Sequence, residues 1–591
     1  MNGPLPRTRK LTIVAQDPGI TDLEDNILLT QIEIPAEELS PGPRGYRVHV
    51  VDYDSSTNTL YVPQEYDPPV ENCYTDPFAK LVKKKKFSQL LGDPGFHAQN
   101  VYAIVMRTLA RFEFALGRRV SWGFSGHQLY VAPHAFADAN AFYSEDDEAL
   151  AFGYFRVPTG KGDSEPIFTC LSHDVVAHET THAILDGLRE KYTNPSSAEQ
   201  AGFHEGFADV VALLSVFSLK DVVRTLLLKF KPEGDAPDPV TGNYVSSDIL
   251  NKEDLGNSVL FGLADQMGSA LSGIRGEALR RSVTLPPLGP DDESYLTRDA
   301  YKEPHKCGEL VVAAMMDAFI DVWLKRLQKY KECRPVVDIS IVVDQGAEAA
   351  DHLLTMAIRA LDYMPPTDIL FQDYLTALLT SDRETVPDDS KYEYRRTLRD
   401  CFLAYGIEPV TTSGYWDLAP TGFSYDRTHF ESLLGDANEI FRFLWDNRIK
   451  LNLDAEKDHY GKAYMKVQSV RPCMRIGPDG FVVRETVAEY IQMTNVYVNE
   501  LAQEGITGID QTVPRDLEIT LYGSGTLIFD EYGRLKYHIQ NHIFSKEKQP
   551  ARIEYLWHSG YIKDKDYRKN IFSRMHLSKA LSSRVDYTEG F

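Results

Sequence analysis

The chain is short of several things. Six of its 591 residues are cysteine, and Cys73, Cys170, Cys307, Cys333, Cys401 and Cys473 are scattered with no CxxC pair among them. That spacing builds neither a disulfide framework nor a cysteine zinc site, and it suits thiols kept reduced in a cytoplasm. Positive charge is scarce too. The 63 Lys and Arg residues face 86 Asp and Glu, leaving a formal charge of −23, which argues against nucleic acid as a partner. The basic run Lys83 to Lys86 reads as a solvated helix face. No stretch stays apolar for the thickness of a bilayer: the greasiest, Leu310 to Leu324, is broken by Asp317 and Asp321 and reads as a buried helix, so no membrane span is expected. The first residues, Met1-Asn2-Gly3-Pro4-Leu5-Pro6-Arg7, lack the apolar core of a secretion signal. A cytoplasmic protein is expected, or one exported by a route that needs no such signal.

What is present is globular. Hydrophobic residues make up 43% and aromatics 11% of the chain, enough to fill cores, and the length asks for about two to four domains. Residues 1–70 are strand- and loop-rich. The run Tyr46 to Tyr53 alternates, Ser55-Ser56-Thr57-Asn58 turns, and Thr59 to Val62 returns, a hairpin pattern. A β-rich stretch follows over 71–172. Within it, 96–116 has helical period, with Val101, Ile104, Val105, Leu109 and Phe112 on one face, and Leu150 to Val157 alternates as a strand. Residues 173–408 are mostly helical. After Gly406 the composition shifts to a helix at 429–447 and then to hairpin pieces around Pro478-Asp479-Gly480 and Asp530-Glu531-Tyr532-Gly533. Residues 409–591 are therefore expected to form a separate α+β module, one that could meet a substrate or a protein partner or cover a cleft.

The chemistry is concentrated in His178-Glu179-Thr180-Thr181-His182, set in a helical context without Pro or Gly. Histidines at i and i+4 project from one helix face, close enough for both imidazoles to reach one ion. Glu179, next to the first ligand, flanks the ion and can take a proton from a water held there. Chance gives roughly 0.03 such patterns in a chain of this composition, so the motif alone is suggestive. A catalytic zinc also needs a third protein ligand and one open position. Glu205 lies in the next strong helical pattern, far enough beyond His182 for a loop and an antiparallel return. Asp209, one turn on, could accept the free N–H of a ligand histidine. His204 points about 100° away from Glu205 on such a helix and is left out.

His178-Glu179-Thr180-Thr181-His182 followed by Glu205 and Asp209 resembles the gluzincin pattern, and the surroundings over roughly 95–408 resemble thermolysin-like zinc metallopeptidases. Asn140-Ala141-Phe142-Tyr143 resembles the family segment whose Asn and Ala contact the substrate backbone. The strand at 149–157 matches the edge strand on which peptide is laid. Asp186 matches as well, and Ala360 to Thr367 with the helices to Gly406 resemble the closing segment of the helical lobe. The resemblance implies a two-lobed α+β zincin with a zinc helix at the cleft between a β-rich and a helical lobe. It further implies oxyanion donors: His305, although Gly308 stands one residue closer than usual; Tyr192, one position off; and Arg280, with Arg281 a close rival. Asp174 matches a residue of the family's calcium cluster. The carboxylate expected beyond Asp209 is replaced by Val216 and its apolar neighbours, which counts against structural calcium.

The expectation is one Zn2+ per chain and an endopeptidase acting on peptide or protein. Two rivals stand beside it: a binding protein that keeps this fold without turnover, and a hydrolase of the same fold acting on a non-peptide substrate.

Overall fold

The computed structural model describes residues 7–15, 27–69, 73–156, 166–194, 196–229, 240–256, 282, 284–332, 334–410, 422–454 and 464–562. Strands β1 (Thr8–Val14) and β2 (Leu29–Pro35) form an antiparallel pair. A five-stranded sheet is built from β3 (Val48–Val50), β4 (Leu129–Phe136), β5 (Ala141–Ser144), β6 (Ala149–Arg156) and β7 (Pro166–Phe168), in the order β3-β4-β6-β5 with β7 pairing β6. Helix α1 (Pro94–Leu116) packs against this sheet. The Asp93 side chain accepts from Gly95 N at 2.9 Å to cap its start, with Pro94 in the first turn, and Gly117, at φ 69°, turns the chain out at its end.

Two expectations about strands are corrected. The strand expected at 149–157 is not the sheet edge over its described residues, 149–156: β6 is flanked by β4 and β5, and the edge strand beside it is β5. Leu150 and Phe152 are fully buried. The four-residue β5 runs straight into Glu145, Asp146 and Asp147, the short charged form typical of an edge. The run at 46–62 also divides. Val48–Val50 pairs in parallel with β4, and just Tyr53–Asp54 and Thr59–Leu60 make the hairpin. Asp54 draws that turn tight by accepting from Ser56 N and Thr57 N.

The middle of the chain is helical: α2 (His173–Leu188), α3 (Ala198–Phe217), α4 (Pro304–Lys331), α5 (Ile339–Ala360) and α6 (Phe371–Thr385). Among the described residues no helix is long and apolar enough to cross a membrane. Beyond them, Gly435 separates a 3-10 turn at Phe430–Leu434 from α7 (Ala437–Asp446), which Asp436 caps. An antiparallel meander of β8 (Tyr464–Ile476), β9 (Val482–Tyr497), β10 (Glu518–Phe529) and β11 (Leu535–Asn541) follows. The fold is thus mixed α+β.

The meander is a separate layer with buried ties to the helices. Strand alternation splits β10: Leu527 and Phe529 join Ile440, Phe443 and Leu444 of α7 in a local core, while Ile528, with Tyr537 and Ile539, enters the main core. A buried ion network crosses the same boundary. Arg475 pairs with Asp362 at 2.6 Å and with Glu485, whose other partners are the Tyr363 hydroxyl at 2.9 Å and Lys536 at 2.7 Å. Burial alone would raise the Asp362 carboxyl, but the Arg118 and Arg475 guanidiniums hold it well below the usual carboxylate range. Arg189, the residue closing α2, pairs with Glu489, and Arg471 donates to Leu188 O at 3.3 Å. Cations here also suit the negative end of the helix dipole.

Removing one partner from a buried ion set strands the others without water. Arg475→Ala should therefore cost roughly 3–5 kcal/mol in urea unfolding, and a chain ended at residue 410 should lose its cooperative unfolding transition. A fully cooperative, soluble 1–410 fragment would show that these ties do not hold the helices.

Candidate metal centre

Helix α2 is buried along nearly its whole length. Val175, Val176, Ala177, Ala183, Ile184 and Leu185 supply the apolar packing, and Asp174 in the first turn suits the positive end of the dipole. Within that packing His178, Glu179 and His182 are 3%, 0% and 0% exposed. Polar groups this deep must be partnered.

The i, i+4 spacing brings His178 Nε2 and His182 Nε2 to 2.8 Å of each other. Glu205, from α3, places Oε2 3.8 Å from the first nitrogen and 4.0 Å from the second. The three ligand atoms lie within 4.8 Å of one another and could hold a metal ion. Asp209 Oδ1 stands 2.6 Å from His178 Nδ1. The contact is an ion-pair distance without hydrogen-bond geometry at Nδ1, and it sets a carboxylate behind the histidine, where the outer partners of metal-binding imidazoles stand. His204 is not one of these three, and its ring stacks on that of His182, centroids 4.7 Å apart at 20°.

Two glycine contacts set the fourth residue. A Cβ on Gly308 would lie 2.7 Å from Gly202 O and 2.8 Å from Gly206 N, so α3 and α4 meet backbone to backbone. That approach carries the start of α4 to Glu205, and His305 Nε2 sits 3.4 Å from Glu205 Oε2. Glu303 holds this end in two ways: Oε2 caps α4 by accepting from Lys306 N at 2.8 Å, and Oε1 stands 2.9 Å from His305 Nδ1.

Glu179 faces the β sheet. Its Oε2 accepts from Tyr143 N at 3.2 Å, which ties the edge strand β5 to the metal helix. The Tyr143 hydroxyl donates to Asp186 Oδ2 at 2.7 Å. Asn140 stands at the head of β5, its side-chain oxygen accepting from Ala141 N at 2.9 Å. Asp174 accepts from the Ser172 hydroxyl at 2.6 Å.

Other sites read from the sequence fare differently. The Tyr192 hydroxyl is buried and donates to Pro365 O at 2.8 Å, a commitment that leaves it no donor for an oxyanion. Arg280 and Arg281 lie outside the described residues. The sequence reading missed Glu303 and the Tyr143 backbone; the first had a signal, a capping carboxylate ahead of Pro304. No protein-family model matches the chain, and no curated protein matches it.

Asp186 offers a pH test. Burial, then the charge of Glu145, pushes its carboxyl up to about 7, against the Tyr143 hydrogen bond. An acid raised in the folded state favours folding while protonated. Its contribution is complete below about pH 4 and is lost as pH rises through about 7. Asp186→Asn keeps an acceptor for Tyr143 and removes the titration. The variant should lose less stability than wild type between pH 4 and pH 8, by up to about 3–4 kcal/mol in denaturant midpoints at the alkaline end. Parallel stability curves would refute the shift.

Proposed function

We propose that the chain is a zinc-dependent metalloendopeptidase with a thermolysin-like two-lobed architecture, the metal helix α2 lying between the β-rich and helical parts. The observation that carries the reading is the convergence of His178, His182 and Glu205 within 4.8 Å, with Glu179 beside them under a sheet edge.

The donor set fits zinc. Two imidazole nitrogens and one carboxylate suit it better than calcium or magnesium, which prefer all-oxygen shells, and three protein ligands leave one position open. Bound there, zinc supplies Lewis-acid polarisation of a carbonyl and a water acidic enough to attack near neutral pH.

This chain's residues do the rest. Glu179 takes the proton of the attacking water and returns it to the leaving amine, and the Tyr143 N–H at 3.2 Å orients its carboxylate. His305, its ring held by Glu303 at Nδ1 and its Nε2 turned to the side of Glu205, is the group placed to stabilise the oxyanion. Tyr192 takes no part, since its hydroxyl serves Pro365. An extended peptide adds to the edge strand β5, where Asn140 and Ala141 meet its backbone. No such role is assigned to Arg280.

Glu179→Gln should keep fold and zinc and lose turnover by about 10⁴-fold, the top of the range for a positioned base, because the same group serves both proton transfers. His305→Ala should cost roughly 10²–10³-fold. His178→Ala, His182→Ala and Glu205→Ala should each release one zinc by elemental analysis. Equal rates for wild type and Glu179→Gln, both holding zinc, would sink the mechanism. No peptide cleavage across a broad library would point to the binding protein, and ester turnover alone to the non-peptide hydrolase.

A further inference from the structure

A second cluster lies away from the centre just described. His97 on α1, His134 on β4 and Cys170, in the 3-10 turn Thr169–Leu171 just before α2, place their ligand atoms within 4.8 Å of one another, all buried. The positions of the ring protons follow from the partners. Leu91 O lies 2.8 Å from His97 Nε2 and can only accept, so that nitrogen carries the proton and Nδ1 presents a lone pair. Asp52 lies 2.8 Å (Oδ2) and 3.0 Å (Oδ1) from His134 Nδ1, which likewise keeps its proton there and bares Nε2. The two bare nitrogens face each other across 2.8 Å.

Lone pairs at that distance repel unless something positive lies between them, either a shared proton or a metal ion. A proton is the poorer answer. A shared proton gives no role to Cys170, whose sulfur completes the triangle. A metal ion uses all three donors. The groups behind the ligands are of the kind metal sites carry, a backbone carbonyl on one histidine and a carboxylate on the other. Phe168 packs on both rings, with centroids 4.7 Å from His97 and 5.1 Å from His134, and Tyr61 on His134 at 4.9 Å.

We infer that His97, His134 and Cys170 form a second metal site, a buried zinc centre of two imidazoles and one thiolate that fixes the entry to helix α2. Charge selects the ion. A divalent cation is balanced by the Cys170 thiolate and the Asp52 carboxylate, whereas monovalent copper would leave a buried negative charge. Binding sends the Cys170 thiol proton to solvent and forms the metal–sulfur bond, with no change of oxidation state. The rings open by about half an ångström, since zinc–nitrogen bonds of about 2.0–2.1 Å in a tetrahedron need more than the present separation.

Cobalt(II) substituted into the metal-free full-length protein reads the two centres apart. The His178, His182 and Glu205 set has no sulfur, so a thiolate-to-cobalt charge-transfer band in the near ultraviolet reports Cys170 alone. The expected result is two equivalents of cobalt or zinc bound, with the band saturating at one. His178→Ala/His182→Ala should keep the band and one equivalent, and Cys170→Ser should lose the band and keep the other. Should Cys170→Ser fail to fold, alkylation of the wild-type protein followed by peptide mapping decides the matter, with zinc expected to protect Cys170 at least tenfold in rate. Binding of one equivalent with no charge-transfer band, or equal alkylation of Cys170 with and without zinc, overturns the site. One equivalent of copper retained in preference to zinc would overturn the choice of ion.

Discussion

A charged group taken out of water must find its opposite, and the placing of those opposites organises this chain. Helix α2 carries His178, Glu179, His182 and Asp186 through the interior, each at most 4% exposed. A carboxylate buried alone would cost far more than the fold's net stability. Three of these buried polar groups meet a partner on another element: Asp209 on α3 beside His178, the Tyr143 backbone N–H at Glu179, and the Tyr143 hydroxyl at Asp186, whose carboxyl burial pushes up to about 7. The helix is held to the sheet and to α3 largely by what its polar side chains require.

The same demand explains why the C-terminal meander is bound to the helices. Arg189 ends α2 in a buried place, where Glu489 supplies the counter-charge and Leu361 O accepts a hydrogen bond from Nη2. Arg475 answers Asp362 and Glu485 together. Such sets add little stability against an apolar core of equal volume. They do penalise every other docking of the sheet, because a shifted register would leave ions buried and unmatched.

What the sequence made legible was local. A spacing of four residues puts two ring nitrogens on one helix face, and a further helical pattern with Glu205 and Asp209 one turn apart presents both carboxylates to the same side. The capping residues around α1 and the turn glycines of the meander could be read in the same way. Long-range pairing left no such mark. Arg189 and Glu489 are 300 residues apart, and no periodicity connects them. Alternation in 149–157 identifies a strand but says nothing about how many neighbours it has, and the family resemblance that set it at the edge could not supply that. Tyr192 stands near the right place in the chain, yet its hydroxyl goes to Pro365, a partner 173 residues on. The cluster of His97, His134 and Cys170 escaped for the same reason, being assembled from a helix, a strand and a turn.

These long-range contacts converge on the two ends of one helix. At the entry, Asn100 donates to Cys170 O at 2.8 Å, and the second histidine cluster gathers α1, β4 and the turn before His173. At the exit, Arg189 and Arg471 bind the last carbonyl of α2 to the meander. Between them the backbone contact at Gly202, Gly206 and Gly308 sets the distance to α3 and α4. A helix so fixed at both ends and along one side can neither slide nor turn, and each ligand on it inherits that constraint. Groups that must meet in one geometry need such a frame. The residues far from His178 and His182 hold one short helix where its two imidazoles converge with Glu205.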